Sequence, residues 1–463
     1  MRDREIQKSK TVVALDIGTS KICVMVGRRN DYGSIEILGV GKVASEGVRR
    51  GVVANIDKTV RAIEEAVIQA EKSSGTEIID VFAGIAGQHI KSLVHQGILT
   101  LADADKEIDK SDLQTLLDDM YKLALPPGDK ILHILPQEYT VDDEEGILDP
   151  VGMCGHRLIG NFHVVTGQLS AHKNIERCVE KAGLGVADFI LEPIASASAV
   201  LSNEEKEAGV ALVDIGGGTT DITIFQEGII RHTAVVPFGG DVITLDIKEG
   251  CSVMYDQAEK LKRKFGSALA ESIVDNRIIT IPGFSNRDHK EISEKNLALI
   301  IQARMEEILE LVRIEIKKSG YERKLIGGIV LTGGGALLNK IDLLAEYRTG
   351  MSARIGLPIE HIASRQRDDV SSPIYATAIG LIIHGLNTPE VKDVKDKMVN
   401  VKPTDNRPSA PVEDQADIAP SIEDAAETAT QRERDNKSKS KWFESLLDKT
   451  REFFEATPDR DFY

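Results

Sequence analysis

One phrase occurs twice in this chain, 198 residues apart: Asp16-Ile17-Gly18-Thr19-Ser20-Lys21 and Asp214-Ile215-Gly216-Gly217-Gly218-Thr219. Each follows an apolar run rich in β-branched residues and precedes another (residues 12–15 and 22–26; 210–213 and 222–225). Both therefore read as strand, tight glycine turn, strand. Glycines between strands leave backbone N–H groups uncovered, and such clusters form a concave nest for phosphate. Thr219 and Thr220 add hydroxyls, and Asp214 sits where a carboxylate could hold a hydrated Mg²⁺. The offset is far too long for a solenoid period. It fits two similar domains, each presenting one hairpin to a shared cleft. A third glycine turn, Gly333-Gly334-Gly335, follows a further apolar run at 328–332. One such turn alone is as often a plain hairpin; three in this order point to a polyphosphate site.

With 463 residues the chain has room for about three domains. Its net charge of −17 argues against a nucleic-acid backbone as partner. Four scattered cysteines without a CxxC pair suggest buried thiols in a reducing compartment. The charged opening residues 1–10 do not read as a signal peptide, and no apolar run reaches the ~18 residues that span a bilayer. Membrane contact is expected to be peripheral.

Residues 34–44 alternate as a strand, and 57–74 carry Val60, Ile63, Val67 and Ala70 at helical spacing, with Asp57 as the expected cap and Gly75 as the stop. A strand at 78–85 follows. The character then changes. Ser111 and Gln114 bracket an expected capping box opening a helix to 124, Pro126-Pro127-Gly128 ends it, and 131–141 and 158–169 read as strands around an acidic turn at 142–146. We read 86–165 as an inserted α+β domain without a catalytic constellation. His133, His156 and His163 lack ligand spacing and are expected to be solvent-facing or capped. Alternation resumes at His172 with a helix, a strand at 187–191, and an Ala/Ser-rich helix opened by Glu192-Pro193. Beyond the second hairpin, 255–269 and 292–318 read as helices, the latter with a stripe of Leu297, Ile300, Ile301, Ile308, Leu311 and Ile314; a last apolar helix covers 375–386.

From 387 to 440, five prolines punctuate a charged run poor in large apolar residues, a composition that cannot bury enough surface to fold. Residues 441–455 then place Trp442, Phe443, Leu446, Leu447, Phe453 and Phe454 within an arc of about 140°. Such a stripe could lie in a membrane interface, fill a partner's groove or dock on the protein's own core. Three basic residues face four acidic ones in it, so lipid attraction falls to Arg432, Arg434, Lys437, Lys439 and Lys441, with avidity from oligomers.

With these parts assembled, residues 10–386 resemble the actin / sugar kinase / DnaK-type ATPase superfamily, and within it the FtsA family of bacterial cell-division proteins. The resemblance implies an α/β, actin-like two-lobed ATPase fold of duplicated ribonuclease H-like domains, with an inserted α+β subdomain, a disordered tail and a terminal amphipathic helix. The implied parts are subdomain IA (1–85, 166–198, 363–386), IC (86–165), IIA (199–240, 320–362), IIB (241–319), linker (387–440) and membrane-targeting helix (441–456). It further implies ATP or ADP with Mg²⁺ as ligand. Gly18, Thr19, Ser20 and Lys21 would hold the phosphates from one side and Gly216, Gly217, Gly218 and Thr219 from the other. Asp16 and Asp214 would hold the metal through water, and Glu192 would stand near the attacking water. Glu259, Lys262 and Arg263 match the spacing that sandwiches adenine in DnaK-type relatives, while Gly239, Gly333, Gly334 and Gly335 would admit the nucleoside. Triphosphate carries about four negative charges, so nests, a lysine and a metal must share them.

Implied partners are the FtsZ C-terminal tail, further copies of the chain, the membrane surface and other division proteins, at the inner face of the cytoplasmic membrane at midcell. For the FtsZ tail the expected surface is a basic one around Arg287, Lys290, Asn296 and Arg304. Enzyme activity is left open, with at most slow ATP turnover. A PilM-like adaptor of a membrane assembly machine and a small-molecule kinase are the alternatives. The former typically lacks the tethered aromatic helix, and the latter needs an aspartate base that 86–165 do not offer.

Overall fold

The computed structural model of the chain describes residues 10–101, 106–282, 289–363 and 370–388. The aromatic-striped helix expected at 441–456 and Arg287 lie outside the described residues.

In chain order the first lobe opens with β1 (Thr11–Ile17), β2 (Lys21–Arg29), β3 (Ile35–Ala44), the short pair β4 (Val48–Arg49) and β5 (Val52–Val53), α1 (Ile56–Ser74) and β6 (Asp80–Ile85). An insert follows: β7 (Lys91–Thr100), α2 (Lys110–Met120), β8 (Asp129–Val141), β9 (Glu144–Ile147) and β10 (Arg157–Gln168). α3 (Leu169–Lys181), β11 (Gly185–Leu191) and α4 (Glu192–Val200) lead through α5 (Asn203–Ala208) to the second lobe. That lobe holds β12 (Val210–Ile215), β13 (Thr220–Gln226), β14 (Ile229–Val236), α6 (Gly240–Gly250), α7 (Tyr255–Phe265), β15 (Ile278–Ile281), β16 (Lys290–Ser293), α8 (Glu294–Ser319), β17 (Ile329–Thr332), α9 (Ile341–Thr349) and β18 (Ala353–Ile355). Finally α10 (Ala376–Asn387) returns to the first lobe.

The two lobes carry the same sheet. The strand orders β3-β2-β1-β6-β11 and β14-β13-β12-β17-β18 match position by position. In both, the first three strands pair antiparallel and the next two join in parallel. Helices cover the faces, so β1, β2, β12 and β13 are buried almost throughout and read as continuous apolar runs. α4 and α10 lie between the sheets, where one core unites Ala14 and Met25 with Leu212, Phe225 and Val330. Their approach is close: a Cβ on Gly380 would fall 1.8 Å from the carbonyl oxygen of Ala195.

The helix ends and turns differ from the sequence expectation in detail. α1 is capped by Asn55, whose side chain accepts the Lys58 N–H, while Asp57 sits in the first turn; Gly75, at φ 68°, ends the helix as expected. Asp109, reciprocated by Asp112, forms the capping box of α2, which stops at Met120. The acidic turn is shorter than expected, because 144–147 pair back on β8 as β9. α7 ends at Phe265. On α8 the buried stripe runs through Leu297, Ile301, Met305, Ile308, Leu309, Val312 and Ile316; Ile300 and Leu311 are half-buried, and Ile314, two residues beyond Val312 on the far side, is 37% exposed.

The insert is a four-stranded antiparallel sheet, β7-β10-β8-β9, with α2 packed over Leu158, Phe162 and Val164. β7 went unread in the sequence. It is an edge strand in which Gly97 alone is buried, so no alternation marks it.

Candidate functional site: a cleft between two glycine hairpins

Each hairpin turn is closed by the same bond, Gly18 N–H to the Lys21 carbonyl at 3.0 Å and Gly216 N–H to the Thr219 carbonyl at 2.9 Å. The turns face one another. A Cβ on Gly217 would lie 1.9 Å from Ser20 Oγ, and one on Gly218 2.7 Å from Thr19 Oγ1 and 2.8 Å from Arg50 Cα. Only glycine permits that contact. Around it opens a cavity of about 530 Å³, within the range of small-molecule sites. Residues 16–21, Glu192, Asp214, residues 216–219, Glu259, Lys262, Arg263 and residues 333–335 all line it. Gly239 does not. It stands behind the second turn, where a Cβ would meet the Gly216 carbonyl at 2.6 Å, and the start of α6 fastens that turn through Gly240 and Asp241 N–H groups, each 2.8 Å from a turn carbonyl.

The charges in the cleft are unevenly matched. Lys21 is ion-paired with Asp16. Burial works against its ammonium, but the Asp16 carboxylate outweighs burial and holds it above the usual lysine range. The second hairpin has no such cation. Asp214 and Asp221 sit directly opposite each other on β12 and β13. Burial pushes Asp214 up to about 6, against the Ser196 hydroxyl that donates to it at 2.7 Å. Asp221 rises to about 8 through burial and the neighbouring Asp214 charge, and its Oδ1 is buried without a hydrogen-bond partner among the described residues. Glu192, first residue of α4, is raised well above the carboxylate range by burial, then by Asp16, Asp221 and Asp214. Asp16, Asp214, Asp221 and Glu192 thus crowd around Lys21 at the polar end, while Asp241 and Lys42 line the same cavity.

At the other end, Lys262 Nζ donates to the Gly240 carbonyl at 2.8 Å and Thr244 Oγ1 at 2.6 Å and pairs with Glu259 at 2.7 Å, which locks α7 to α6. Arg263 is largely exposed and bonds the same glutamate at 2.8 Å. Gly333 adopts φ 80°, and a Cβ there would meet Asp214 Oδ1 at 2.2 Å, so the third turn abuts the second hairpin.

Sequence reasoning missed Asp221, Ser196, Thr377 and Asp241. Asp221 was legible in principle, because a two-strand register that pairs residues 214 and 221 puts both side chains on one face. Ser196 and Thr377, 3.1 Å apart, come from α4 and α10 and leave no local pattern. The expected basic face on the second lobe is weaker than anticipated. Arg304 is held by Asp246 in two bonds, of 2.6 and 3.1 Å, and pairs with Glu307; Lys290 donates to the Ser252 carbonyl at 3.1 Å; Asn296 is exposed in the first turn of α8. The histidines also differ from expectation. His156 is exposed, but His163 is buried with Nε2 2.9 Å from Thr233 Oγ1, and His133 Nε2 accepts the Leu191 N–H at 3.0 Å.

The family model described as cell division protein FtsA matches residues 211–380, and that of the SHS2 domain inserted in FtsA matches residues 87–166. The cell division protein FtsA of Pseudomonas aeruginosa is 42% identical over 82% of this chain and 90% of its own length. The chain belongs to the FtsA family of cell division proteins. FtsA of Escherichia coli K12 is 33% identical over 81% of this chain and 90% of its own length, and that of Bacillus subtilis 36% identical over 81% and 84%. Among solved structures, a chain of the PilM-PilN type IV pilus biogenesis complex superposes with a TM-score of 0.60 at 16% identity, covering 81% of this chain and 99% of its own. That likeness concerns the fold, which is actin-like, and supports the pilus-type alternative only as a fold relative. In this FtsA-family chain the matched insert is the β7–β10 sheet with α2. No helix among the described residues is long and apolar enough to cross a membrane.

Proposed function

We propose that the cleft binds ATP or ADP with Mg²⁺. We further propose that the chain, like the family it belongs to, assembles with its own copies at the inner face of the cytoplasmic membrane, holds the C-terminal tail of FtsZ there and recruits later division proteins. The observation that carries the nucleotide reading is the meeting of Gly217 and Gly218 with Ser20 and Thr19, which puts two N–H nests around one cavity. Residues 18–21 would take the phosphates from the first lobe and 216–219 from the second, with Glu259, Lys262, Arg263 and the third glycine turn around the nucleoside. The donor set fits a dication that keeps much of its water: Asp16, Asp214 and Asp221, whose Oδ1 has no hydrogen-bond partner among the described residues, put carboxyl groups into one cavity. When bound, Mg²⁺ would neutralise phosphate charge. Lys21 shares that task, and the Glu192 carboxylate could accept a proton from water beside the terminal phosphate. Nucleotide acts here more as a conformational ligand than as a fuel.

Titration of the full chain with a fluorescent ADP analogue, with and without Mg²⁺, tests the cleft; no binding overturns it. Liposome flotation of the full chain against one ending at Leu386 tests the membrane reading. Loss of flotation on truncation supports an anchor in the tail, and equal flotation overturns it.

A further inference from the structure

Glu192 is the first residue of α4, a helix with no side-chain cap. Its N-cap residue, Leu191, is fully buried, so the Leu191 N–H must find a partner inside the protein. The partner comes from the insert: His133 Nε2, on β8, accepts that N–H at 3.0 Å. Burial keeps the imidazole neutral, with a pKa near 4, despite Asp188 nearby and with His384 adding to the effect. A neutral ring with Nε2 accepting carries its proton on Nδ1. On the opposite side Glu192 rests on β6, where a Cβ on Gly84 would come 2.9 Å from Glu192 Cγ. The glutamate thus has a floor from the first lobe and a backbone tether from the insert.

The same strand touches the second lobe. Four residues past His133, Gln137 Nε2 donates to the carbonyls of Ile230 and Arg231 on β14, at 3.2 and 3.3 Å. Hydrogen bonds also join Ser92 and His163 of the insert to Thr233. β8 therefore links the second lobe to the backbone that aims Glu192. Any change in the angle between the lobes loads β8 at Gln137, and His133 passes the load to residue 191.

We propose that His133 is a positioning residue for Glu192, through which the insert sets how the carboxylate meets the attacking water. This rests on the reading of Glu192 as the water-facing group of the nucleotide cleft. The test compares His133→Ala, His133→Gln and His133→Asn in the full chain, with ATP hydrolysis measured per bound nucleotide and ADP affinity measured separately. Misaiming a reacting group costs between about tenfold and a hundredfold. We expect a loss of that size in H133A, with affinity within about twofold of the unaltered chain. Glutamine, whose amide oxygen reaches the place of Nε2, restores the rate and asparagine does not. In a Glu192→Gln background, His133→Ala has no further effect, because the group it aims is gone. Equal rates in all three variants, a glutamine variant no better than asparagine, or losses that multiply with E192Q overturn the proposal. If H133A does not fold, the Gln and Asn pair decides alone. An unaltered chain that binds ATP without hydrolysing it overturns this proposal only, whereas one that binds no ATP overturns the nucleotide reading beneath it.

Discussion

In the first hairpin the residue across from Asp16 is Cys23; in the second the residue across from Asp214 is Asp221. Both pairs occupy equivalent places in duplicated sheets, 198 residues apart. The backbones are alike and the charges are not. Asp16 has Lys21 beside it and a thiol opposite, and burial pushes that thiol up to about 11 against the pull of Lys21, so Cys23 stays neutral. Asp214 has a second carboxyl opposite and Ser196 as its hydrogen-bond donor. The first lobe therefore supplies a balanced wall and the second an acidic one, neutralised by retained protons or by an added cation. Duplication preserved the glycine hairpin and let the charges diverge.

The sharpest way to break this comparison is to add one methyl group to each turn. In Gly218→Ala the Cβ meets Arg50 backbone at 2.8 Å, and the lobes must part; in Gly18→Ala it meets the Lys21 carbonyl at 3.0 Å and Asp16 Oδ1 at an ordinary 3.6 Å, both within its own hairpin. ADP titration should show a loss of about a hundredfold for Gly218→Ala and about tenfold or less for Gly18→Ala. Equal losses would mean that contact between the hairpins is not what shapes the site.

A second test uses pH. Unfolded, Asp214 and Asp221 release their protons near pH 4; folded and without nucleotide, they hold them to about 6 and about 8. The folded state thus binds more protons across that window, and stability falls as pH rises from about 4 to 8, by up to ~1.4 kcal/mol per pH unit for each group. Thermal scans of the nucleotide-free chain should show the melting temperature dropping between pH 6 and 8. Asp221→Asn should flatten that drop, and so should Mg²⁺ with ADP. A profile that Asp221→Asn leaves unchanged would remove the acidic wall from the account.

The smallest effect is expected at Cys23→Ala. Trimming this fully buried side chain should cost about 1 kcal/mol, seen as a modest fall in melting temperature, with ADP affinity and the pH profile untouched. Asp221→Ala, at the matching position, should change both.

Both hairpins and the third glycine turn were legible because apolar strands stop abruptly at glycine, a signal carried within a dozen residues. What stayed hidden was decided between distant segments. Arg304 reads as a free cation until α6 supplies Asp246, 58 residues away. β7 has no readable face, since its side chains mostly meet water and only Gly97 is buried, beneath Leu116 and Met120 of α2. Asn55 and Asp57 are both good caps two residues apart, and the extended backbone of Asn55, at φ −142°, made the choice. For the cleft, Asp214 was found and Asp221 overlooked because the facing of a strand follows from register, which the turn sets.

Lys10, at the head of the first strand, donates to the Thr388 carbonyl at 2.5 Å, so both ends of the described body leave from one corner. α10 ends at that corner and, at Gly380, lies almost against Ala195, one turn into the helix that begins with Glu192. α10 is therefore a rod whose end meets the start of the first strand and whose middle bears on the helix that begins at the cleft. A side chain placed at Gly380 would press on α4 and so disturb the protein at its centre, not at its surface.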